Sequence, residues 1–252
     1  MKKNISLSPL LTKGKCLFLA YDQGLEHGPT DFNDTSVDPA KIIKIAQEGA
    51  CNAFICQKGI AEKYHKEIKA SHVPLILKLN GKTNLVKGEP LSTQLCTVSE
   101  AVTLGATAVG YTLYIGSERE AEMFEQFEQI EREAHVKSLP VIAWIYPRGK
   151  AIEGKSEREL LAYAARTGLE LGADIVKIHW NGDVDALAWA VKAAGKCKVV
   201  IAGGLKTDEK NLLKQVKEAI TIGVIGCAVG RNIWQHKHPL EITKKIQNAL
   251  YT

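Results

Sequence analysis

Lys177 is the residue of this chain most suited to covalent chemistry. It stands near the end of a predicted strand, in the run Ile175-Val176-Lys177-Ile178-His179-Trp180. Lysine is seldom buried without a partner, and apolar surroundings disfavour the ammonium form, so burial lowers the pKa and frees an amine that can attack a carbonyl group. The structural alternative is a lysine that extends into solvent or pairs with Asp174 or Asp183.

Imine chemistry needs groups that move protons beside the amine. The carbinolamine formed on a ketone must lose water, and the iminium then accepts the electrons of a breaking C–C bond. We expect Tyr146 and Asp22, each at the end of a predicted strand, to move protons, and Trp144 to form a wall that limits water. Each of the three taken alone is equally explained by packing or a turn cap. The hypothesis rests on their occurrence together at matching strand ends.

Glycines follow the last two predicted strands, in Ala202-Gly203-Gly204 and in Val229-Gly230-Arg231-Asn232. Glycine lets backbone N–H groups approach an anion, and loops in these positions form the common phosphate site of eight-stranded barrels. We therefore expect a phosphorylated ligand near these glycines. The alternative is two tight turns that require glycine for a positive φ. His27 lies in the long loop after the first strand. It belongs either to a segment that covers the substrate or to an ordinary surface loop, and the sequence favours neither.

Eight β-rich runs alternate with amphipathic helices along the chain. The runs span 16–22, 53–57, 75–80, 108–114, 141–146, 175–180, 198–204 and 224–230, and the helices span 39–50, 117–137, 156–171, 183–194, 207–222 and 239–250. Nearly continuous apolar runs indicate strands buried on both faces, as in a parallel sheet. Ser156 to Glu159 has the spacing of a capping box. The pattern predicts an α/β fold, a single (β/α)8 TIM barrel over residues 1–252. The rival doubly wound sheet lacks a G-x-G-x-x-G after its first strand.

The active site of such a barrel lies at the carboxyl ends of its strands. Strand side chains alternate between faces, so an inward Lys177 shares its face with Ile175 and His179. If one alternating set of side chains on each strand points inward, Asp22, Trp144, Tyr146 and Lys177 meet at the barrel mouth.

Composition excludes several classes of protein. The 252 residues carry a net charge of +5 spread along the chain, which fits anionic metabolites and makes nucleic acid an unexpected partner. No apolar run is long enough for a membrane span or a signal peptide, and six cysteines without C-x-x-C spacing indicate a reducing compartment, so we expect a cytoplasmic protein. The seven histidines show no metal-site spacing, and we expect neither a metal nor a cofactor.

The chain resembles the archaeal-type class I fructose-bisphosphate aldolases from about residue 15 to 236. The motifs that carry the resemblance are Ala20-Tyr21-Asp22-x-Gly24-x-Glu26-His27-Gly28-Pro29, Leu77-Lys78-Leu79-Asn80-Gly81-Lys82-Thr83, Gly110-Tyr111-Thr112, Trp144-x-Tyr146-Pro147-Arg148-Gly149, Gly172-Ala173-Asp174-x-x-Lys177 and Ala228-Val229-Gly230-Arg231-Asn232-x-Trp234-Gln235. The resemblance implies a metal-independent aldolase that reversibly cleaves fructose 1,6-bisphosphate to dihydroxyacetone phosphate and glyceraldehyde 3-phosphate.

The resemblance also implies roles for individual residues. It makes Lys177 the Schiff-base lysine and Tyr146 the proton-transfer residue, with Trp144 and Asp22 supporting proton movement and substrate hydroxyls. It implies that one phosphate is held by Gly203, Gly204, Gly230 and Arg231, and that Arg148 reaches toward the other. Family members assemble as large rings, often decamers built from pentamers, so the implied partners are sugar phosphates and further copies of the chain.

One position departs from the family pattern, since Gln23 stands where the family usually has histidine. The departure removes the basis for an acid–base role at position 23 and leaves Asp22 and Lys177 untouched. Aminodeoxyheptulosonate synthases and thiolases of the same superfamily share the Asp, Tyr-Pro-Arg-Gly and Lys positions, but methionine or another residue commonly replaces their tryptophan. Trp144 therefore favours the aldolase. A lysine-dependent lyase or transferase acting on another ketose phosphate, and a phosphate-binding barrel without catalysis, are the remaining alternatives.

Overall fold

Eight parallel strands close into a barrel in the computed structural model, which describes residues 5–203 and 208–251. The strands are β1 (Cys16–Ala20), β2 (Ala53–Gln57), β3 (Leu75–Lys78), β4 (Ala108–Ile115), β5 (Val141–Pro147), β6 (Ile175–Ile178), β7 (Lys198–Ala202) and β8 (Gly226–Val229). Each pairs with the next, and β1 pairs with both β2 and β8. The predicted TIM barrel is therefore confirmed, because the doubly wound alternative would leave two open edges.

Helices surround the barrel and follow the predicted alternation. They are α1 (Gly24–His27), α2 (Pro39–Glu48), α3 (Lys58–Lys63), α4 (His65–Ser71), α5 (Val98–Thr103), α6 (Glu120–Val136), α7 (Glu157–Glu170), α8 (Val184–Ala194), α9 (Glu209–Ile222), α10 (Arg231–Trp234) and α11 (Pro239–Tyr251). The six predicted helices are present with slightly different ends. Helices α1, α3 to α5 and α10 are not among the six predicted ones, because four to seven residues show too little periodicity to be recognised.

Side-chain caps fix where several of these helices begin. The Ser156 hydroxyl accepts a hydrogen bond from the backbone N–H of Glu159 at 3.2 Å, which forms one half of the predicted capping box at the start of α7. Asp183 caps α8 in the same way, through the N–H of Ala186 at 2.9 Å. These bonds satisfy N–H groups that have no partner within the helix.

Two apolar cores confirm the inward and outward faces assigned from sequence. The barrel interior holds Phe18 and Ala20 from β1, Ile142 and Trp144 from β5, and Ile175 from β6. The intervening side chains pack instead against the helices, among them Leu17, Leu19, Val176 and Ile178. The period-two alternation therefore directs Asp22, Tyr146 and Lys177 into the mouth, as predicted.

The interior packing depends on one glycine beside Trp144. A Cβ atom added at Gly110, on β4, would lie 1.4 Å from Cζ3 of the Trp144 indole. The indole thus fills the space that a side chain at position 110 would need, and it is 1% exposed. This contact holds the ring across the barrel beneath the mouth.

The loop after β1 is anchored by aromatic packing. The ring centroids of Tyr21 and Phe32 are 5.3 Å apart. The ring centroids of Phe32 and Trp234, the last residue of α10, are also 5.3 Å apart. The Tyr21 hydroxyl donates to the Ser36 carbonyl at 2.6 Å, and the Trp234 indole N–H donates to the Ala20 carbonyl at 3.1 Å. These contacts fix α1 beside the end of β1.

The six cysteines are buried free thiols. Burial raises the pKa of Cys51 and of Cys227 to about 12, which keeps these thiols protonated and unreactive. Within residues 5–203 and 208–251, no helix combines the length and apolarity needed to cross a membrane.

We predict that Gly110→Ala destabilises the protein, because the new methyl group and the Trp144 indole cannot occupy the same space. Overpacking of this kind typically costs about 1–3 kcal/mol or more. Gly59→Ala is the matched control, since nothing lies within 4 Å of the added Cβ atom in α3. Denaturant unfolding of both variants measures the difference, and equal stabilities would contradict the packing argument.

Candidate active site

A cavity of about 580 Å³ opens at the carboxyl ends of the barrel strands. Most of the residues singled out from sequence line it, namely Asp22, His27, Tyr146, Arg148, Lys177, Gly203, Gly230 and Arg231. Trp144 lies beside this cavity, with its ring centroid 5.4 Å from Nζ of Lys177. Gly204 lies outside the described residues. The fold thus gathers strand ends that are far apart in sequence around one space.

Lys177 is buried at the base of this cavity, with 6% of its surface exposed. Burial is the largest cause that lowers its pKa to about 8, and the charge of Lys78 lowers it further. The charges of Asp22 and Glu26 act to raise this pKa but are outweighed. Among the described residues its ammonium group has no ion-pair partner. The amine is therefore partly unprotonated near neutral pH, as nucleophilic attack requires.

The structural alternative for Lys177 is wrong. Asp174 instead contacts Nε2 of His135 at 2.9 Å and accepts a hydrogen bond from the backbone N–H of Val141 at 2.8 Å. Asp183 caps α8. Both carboxylates named as possible partners of Lys177 thus have other roles.

Asp22 is a buried carboxylate in an ion pair. Its Oδ2 lies 3.1 Å from Nζ of Lys78, and both side chains are less than a tenth exposed. Burial acts to raise the pKa of Asp22, but the charges of Lys78 and Lys177 outweigh it and leave the pKa below its usual value. Asp22 also lines the cavity, and its lowered pKa keeps the carboxylate charged there.

Tyr146 lies at the mouth beneath a guanidinium group. The Arg148 guanidinium carbon lies 5.5 Å from the centroid of the Tyr146 ring and 5.2 Å from that of Tyr114. Its Nη1 contacts Oε1 of Glu26 at 2.9 Å. Burial, followed by the charges of Asp22 and Glu26, raises the pKa of Tyr146, so its hydroxyl keeps the proton that it would donate.

The other end of the cavity is formed by the ends of β7 and β8. A Cβ atom at Gly230 would lie 2.8 Å from the Ala20 carbonyl oxygen, so glycine is required by the close approach of β1 and β8. Neither Gly203 nor Gly230 has a positive φ, which removes the tight-turn alternative for these two positions. Arg231 faces Asp31, with Nη1 3.5 Å from Oδ2, and His27 contacts the same oxygen at 3.1 Å.

The structure adds residues to the site that sequence reasoning left without a role. Lys78 and Glu26 line the cavity, each in contact with a residue singled out from sequence. The signal for Lys78 was the same as for Lys177, a lysine that ends an apolar strand. His179 also lines the cavity, where burial is the largest cause that lowers its pKa. Gln23 lies beside Gly230, and its Oε1 is 3.1 Å from the site of an added Cβ atom.

Metal ligation has no visible basis in the part of the chain that the structure describes. There, no three His, Cys, Asp or Glu side chains are grouped so as to share an ion. One buried donor in the site does lack a partner, since no described residue accepts a hydrogen bond from the Trp144 indole N–H. A buried donor of this kind is costly unless a ligand or water accepts its hydrogen.

Comparisons with known proteins identify the family of this chain. A family model described as DeoC/LacD family aldolase matches residues 16–236. The class 1 fructose-bisphosphate aldolase of Thermoproteus tenax is 48% identical over 242 residues, which are 95% of this chain and 90% of that protein.

Two solved structures are similar over nearly the whole chain. One comes from a structural study of reaction intermediates of a Schiff-base-forming fructose-1,6-bisphosphate aldolase, with a TM-score of 0.90, 48% identity and 95% coverage of each chain. The other is an archaeal fructose-1,6-bisphosphate aldolase whose catalytic lysine is covalently bound to the carbinolamine intermediate of the substrate. It has a TM-score of 0.91 and 46% identity, and covers 98% of this chain and 97% of that one.

We predict that Lys177→Met stabilises the folded protein at pH 7. The Lys177 pKa falls from 10.5 to about 8 on folding, so the unfolded chain binds more protons between these values and wild-type stability rises with pH across that window. Below pH 8 the full penalty of about 3 kcal/mol is present, at about 1.4 kcal/mol per pKa unit.

Thermal and denaturant unfolding at pH 7 and near pH 10 measure this gain, which should shrink at the higher pH. Lys66→Met, on the exposed face of α4, is the control and should change stability by no more than about 0.5 kcal/mol. A Lys177→Met variant less stable than the wild type at pH 7 would show that the buried amine has a stabilising partner.

Proposed function

The chain belongs to the DeoC/LacD family of aldolases, and we propose that it is a class 1 fructose-bisphosphate aldolase with Lys177 as its Schiff-base residue. It cleaves fructose 1,6-bisphosphate reversibly to dihydroxyacetone phosphate and glyceraldehyde 3-phosphate, without a metal or cofactor. The observation that carries the proposal is the buried amine of Lys177, which lacks an ion-pair partner among the described residues and has a pKa lowered to about 8.

The reaction begins with imine formation. The neutral amine of Lys177 attacks the C2 ketone of the sugar and forms a carbinolamine, whose hydroxyl group leaves as water after taking a proton. Tyr146, with its pKa raised, is the donor of that proton. The product is a protonated imine, in which nitrogen draws electrons from the neighbouring carbon atoms.

Cleavage of the C3–C4 bond follows from that electron demand. A base takes the proton of the C4 hydroxyl, the C4–O bond becomes the carbonyl of glyceraldehyde 3-phosphate, and the C3–C4 electron pair moves into an enamine. The Tyr146 phenolate, which the preceding proton donation leaves behind, or the Asp22 carboxylate accepts this proton. Protonation of the enamine at C3 and addition of water then release dihydroxyacetone phosphate and restore the amine.

Trp144 supports these steps from beside the cavity, where its side chain is 1% exposed. Its ring lies against the Lys177 amine, and its indole N–H, which lacks an acceptor in the described residues, is available to a substrate oxygen. Such a bond would satisfy a buried donor and orient the sugar hydroxyls. Gly110 leaves the space in which the ring is held.

The two phosphate groups bind at opposite sides of the mouth. We infer that one lies against Gly203, Gly204, Gly230 and Arg231, and that Arg148 contacts the other, with His27 covering the cavity. Arg231 and Arg148 already contact Asp31 and Glu26. A guanidinium group has five N–H donors, so each arginine can hold its carboxylate and a phosphate together.

We also propose a homo-oligomer in the cytoplasm, as a pentamer-based ring or decamer in which residues 1–252 form one domain. Support for the assembly comes from α7 and α8, where Tyr163 and Trp189 are 64% and 52% exposed. Large exposed apolar side chains are typical of protein interfaces. Support for the compartment comes from the six free cysteines and from a sugar-phosphate substrate. Light scattering of the purified protein measures the subunit number, and a monomer would contradict the ring.

We predict that Lys177→Met and Tyr146→Phe separate imine formation from proton transfer. Lys177→Met keeps a long apolar side chain and should bind sugar phosphate without an adduct that borohydride can trap. Tyr146→Phe should still give some trapped adduct, because the amine is intact, but lose about 10²–10⁴-fold in kcat with a modest change in KM, because it lacks the phenol proton.

The measurements are retro-aldol cleavage of fructose 1,6-bisphosphate in the presence of EDTA, and peptide mass mapping after trapping with dihydroxyacetone phosphate. Loss of wild-type activity in EDTA that zinc restores would overturn the imine mechanism. A trapped adduct without cleavage would indicate a related lysine-dependent enzyme with another ketose phosphate. An adduct of Lys177→Met on another lysine, with Lys78 the nearest candidate, would move the reacting amine. Near-normal turnover of Tyr146→Phe would assign the proton transfer to Asp22 or an ordered water.

A further inference from the structure

Two lysines and one carboxylate are buried together at the base of the cavity. Asp22, Lys78 and Lys177 are 7%, 5% and 6% exposed. They come from the ends of β1, β3 and β6, and Ile76, which belongs to the interior core, puts Lys78 on the inward face of β3. Because burial of unpaired charge is costly, it matters which of the two lysines has the carboxylate as its counter-ion.

The ion pairs leave Lys177 as the lysine without a counter-ion in the described part of the chain. Oδ2 of Asp22 lies 3.1 Å from Nζ of Lys78. Glu26, the other carboxylate whose charge acts on Lys177, contacts Nη1 of Arg148 at 2.9 Å. Each nearby carboxylate is thus held by another cation.

We propose that Lys78 is a positioning residue for the reaction: its ammonium group holds the Asp22 carboxylate, so that Asp22 does not pair with Lys177 and the Lys177 amine remains free to attack the substrate. This role rests on the proposed imine chemistry of Lys177. It differs from that of a second nucleophile, because an ammonium group bonded to a carboxylate has no lone pair to donate.

The electrostatics of the site give the direction of the effect. Burial lowers the pKa of Lys177 to about 8, Asp22 and Glu26 act to raise it, and Lys78 acts to lower it. Removal of the Lys78 charge would end this repulsion and free the Asp22 carboxylate to attract the Lys177 ammonium group. Both changes stabilise the protonated amine.

The other groups around Lys177 do not replace the effect of the Lys78 charge on the Lys177 amine. Tyr146 is on the neighbouring strand β5, and His179 lies beyond Lys177 on its own chain segment. Burial raises the pKa of Tyr146 and lowers that of His179, so both favour a neutral form near pH 7. On the opposite side, β7 contributes Val200 and Ala202, which do not titrate.

The test measures the titration of the Lys177 amine in variants of the group. Enzyme is mixed with dihydroxyacetone phosphate at a series of pH values from about 6 to about 10, which spans the pKa of Lys177. Borohydride added at successive times traps the imine, and mass mapping then locates the adduct. The wild-type rate should rise with pH with a midpoint near pH 8. Lys78→Met should raise the midpoint by about one pH unit or more, and so slow imine formation about tenfold below the midpoint. Lys78→Arg keeps the charge and should stay near the wild type.

Asp22→Asn gives a shift of opposite sign. It removes the attraction of the carboxylate and keeps the Lys78 repulsion, so the midpoint should move to lower pH even if proton transfer later in the reaction is slow. A general packing defect does not produce opposite shifts in the two variants. If Lys78→Met fails to fold, as a melting curve would show, Lys78→Gln takes its place with the same expected rise of the midpoint, because its neutral amide also removes the charge beside Asp22.

The proposal is overturned by an unchanged or lower midpoint in folded Lys78→Met, or by an unchanged or higher midpoint in Asp22→Asn. A Lys78→Arg midpoint raised as far as that of Lys78→Met also contradicts it, because the charge is then irrelevant. A wild type that traps no adduct on Lys177 would refute the proposed function itself. A trapped wild type with unshifted variants would refute the role of Lys78 alone.

Discussion

The burial of one amine is the constraint on which the rest of this structure depends. An ammonium group inside an apolar barrel loses its hydration, and this loss is the largest cause that lowers the pKa of Lys177 to about 8. An ion pair between Lys177 and a carboxylate would raise this pKa again and keep the amine protonated in spite of its burial. The surrounding ion pairs prevent this, because Lys78 holds Asp22 and Arg148 holds Glu26. Stability is lost at the site in order that a neutral nucleophile is available there.

A parallel barrel meets this constraint through its geometry. Strand side chains alternate in direction, so one residue near each strand end enters the mouth while the next supports the helices. The apolar layer beneath the mouth, with Phe18, Ile142 and Trp144, excludes water from the base of the lysine. Trp144 has a place in that layer because Gly110 on the adjacent strand has no side chain. Packing inside the barrel and chemistry at its mouth are therefore parts of the same arrangement.

The rim of the cavity is built differently, from loops tied down by polar contacts. Glu26 contacts Arg148, and Asp31 contacts both His27 and Arg231, so the loop after β1 reaches each side of the mouth. Aromatic packing of Tyr21 against Phe32 gives this loop a fixed base. A cavity of about 580 Å³ with arginines at separate sides suits a ligand with an anionic group at each end. The glycines of β7 and β8 allow close backbone approach where a side chain would collide.

The sequence by itself determined the barrel and indicated the groups that we propose as reacting. Long apolar runs that alternate with amphipathic helices are local patterns, and they predicted the eight strands and the inward positions of Asp22, Trp144, Tyr146 and Lys177 because strand periodicity is independent of tertiary contacts. Short helices such as α3 and α5 escaped the same reasoning, since six residues carry too little pattern.

Only the tertiary structure decided how the charges pair. Arg148 and Glu26 are 122 positions apart, and Arg231 and Asp31 are 200 apart, so nothing local connects them. The sequence offered Asp174 and Asp183 as partners for Lys177, because they are near in the chain. In the closed barrel it is the charge of Asp22 that acts on the amine, and Asp22 forms its ion pair with Lys78. Coulomb energy depends on distance in space and on burial, and both quantities exist only after the strands have closed.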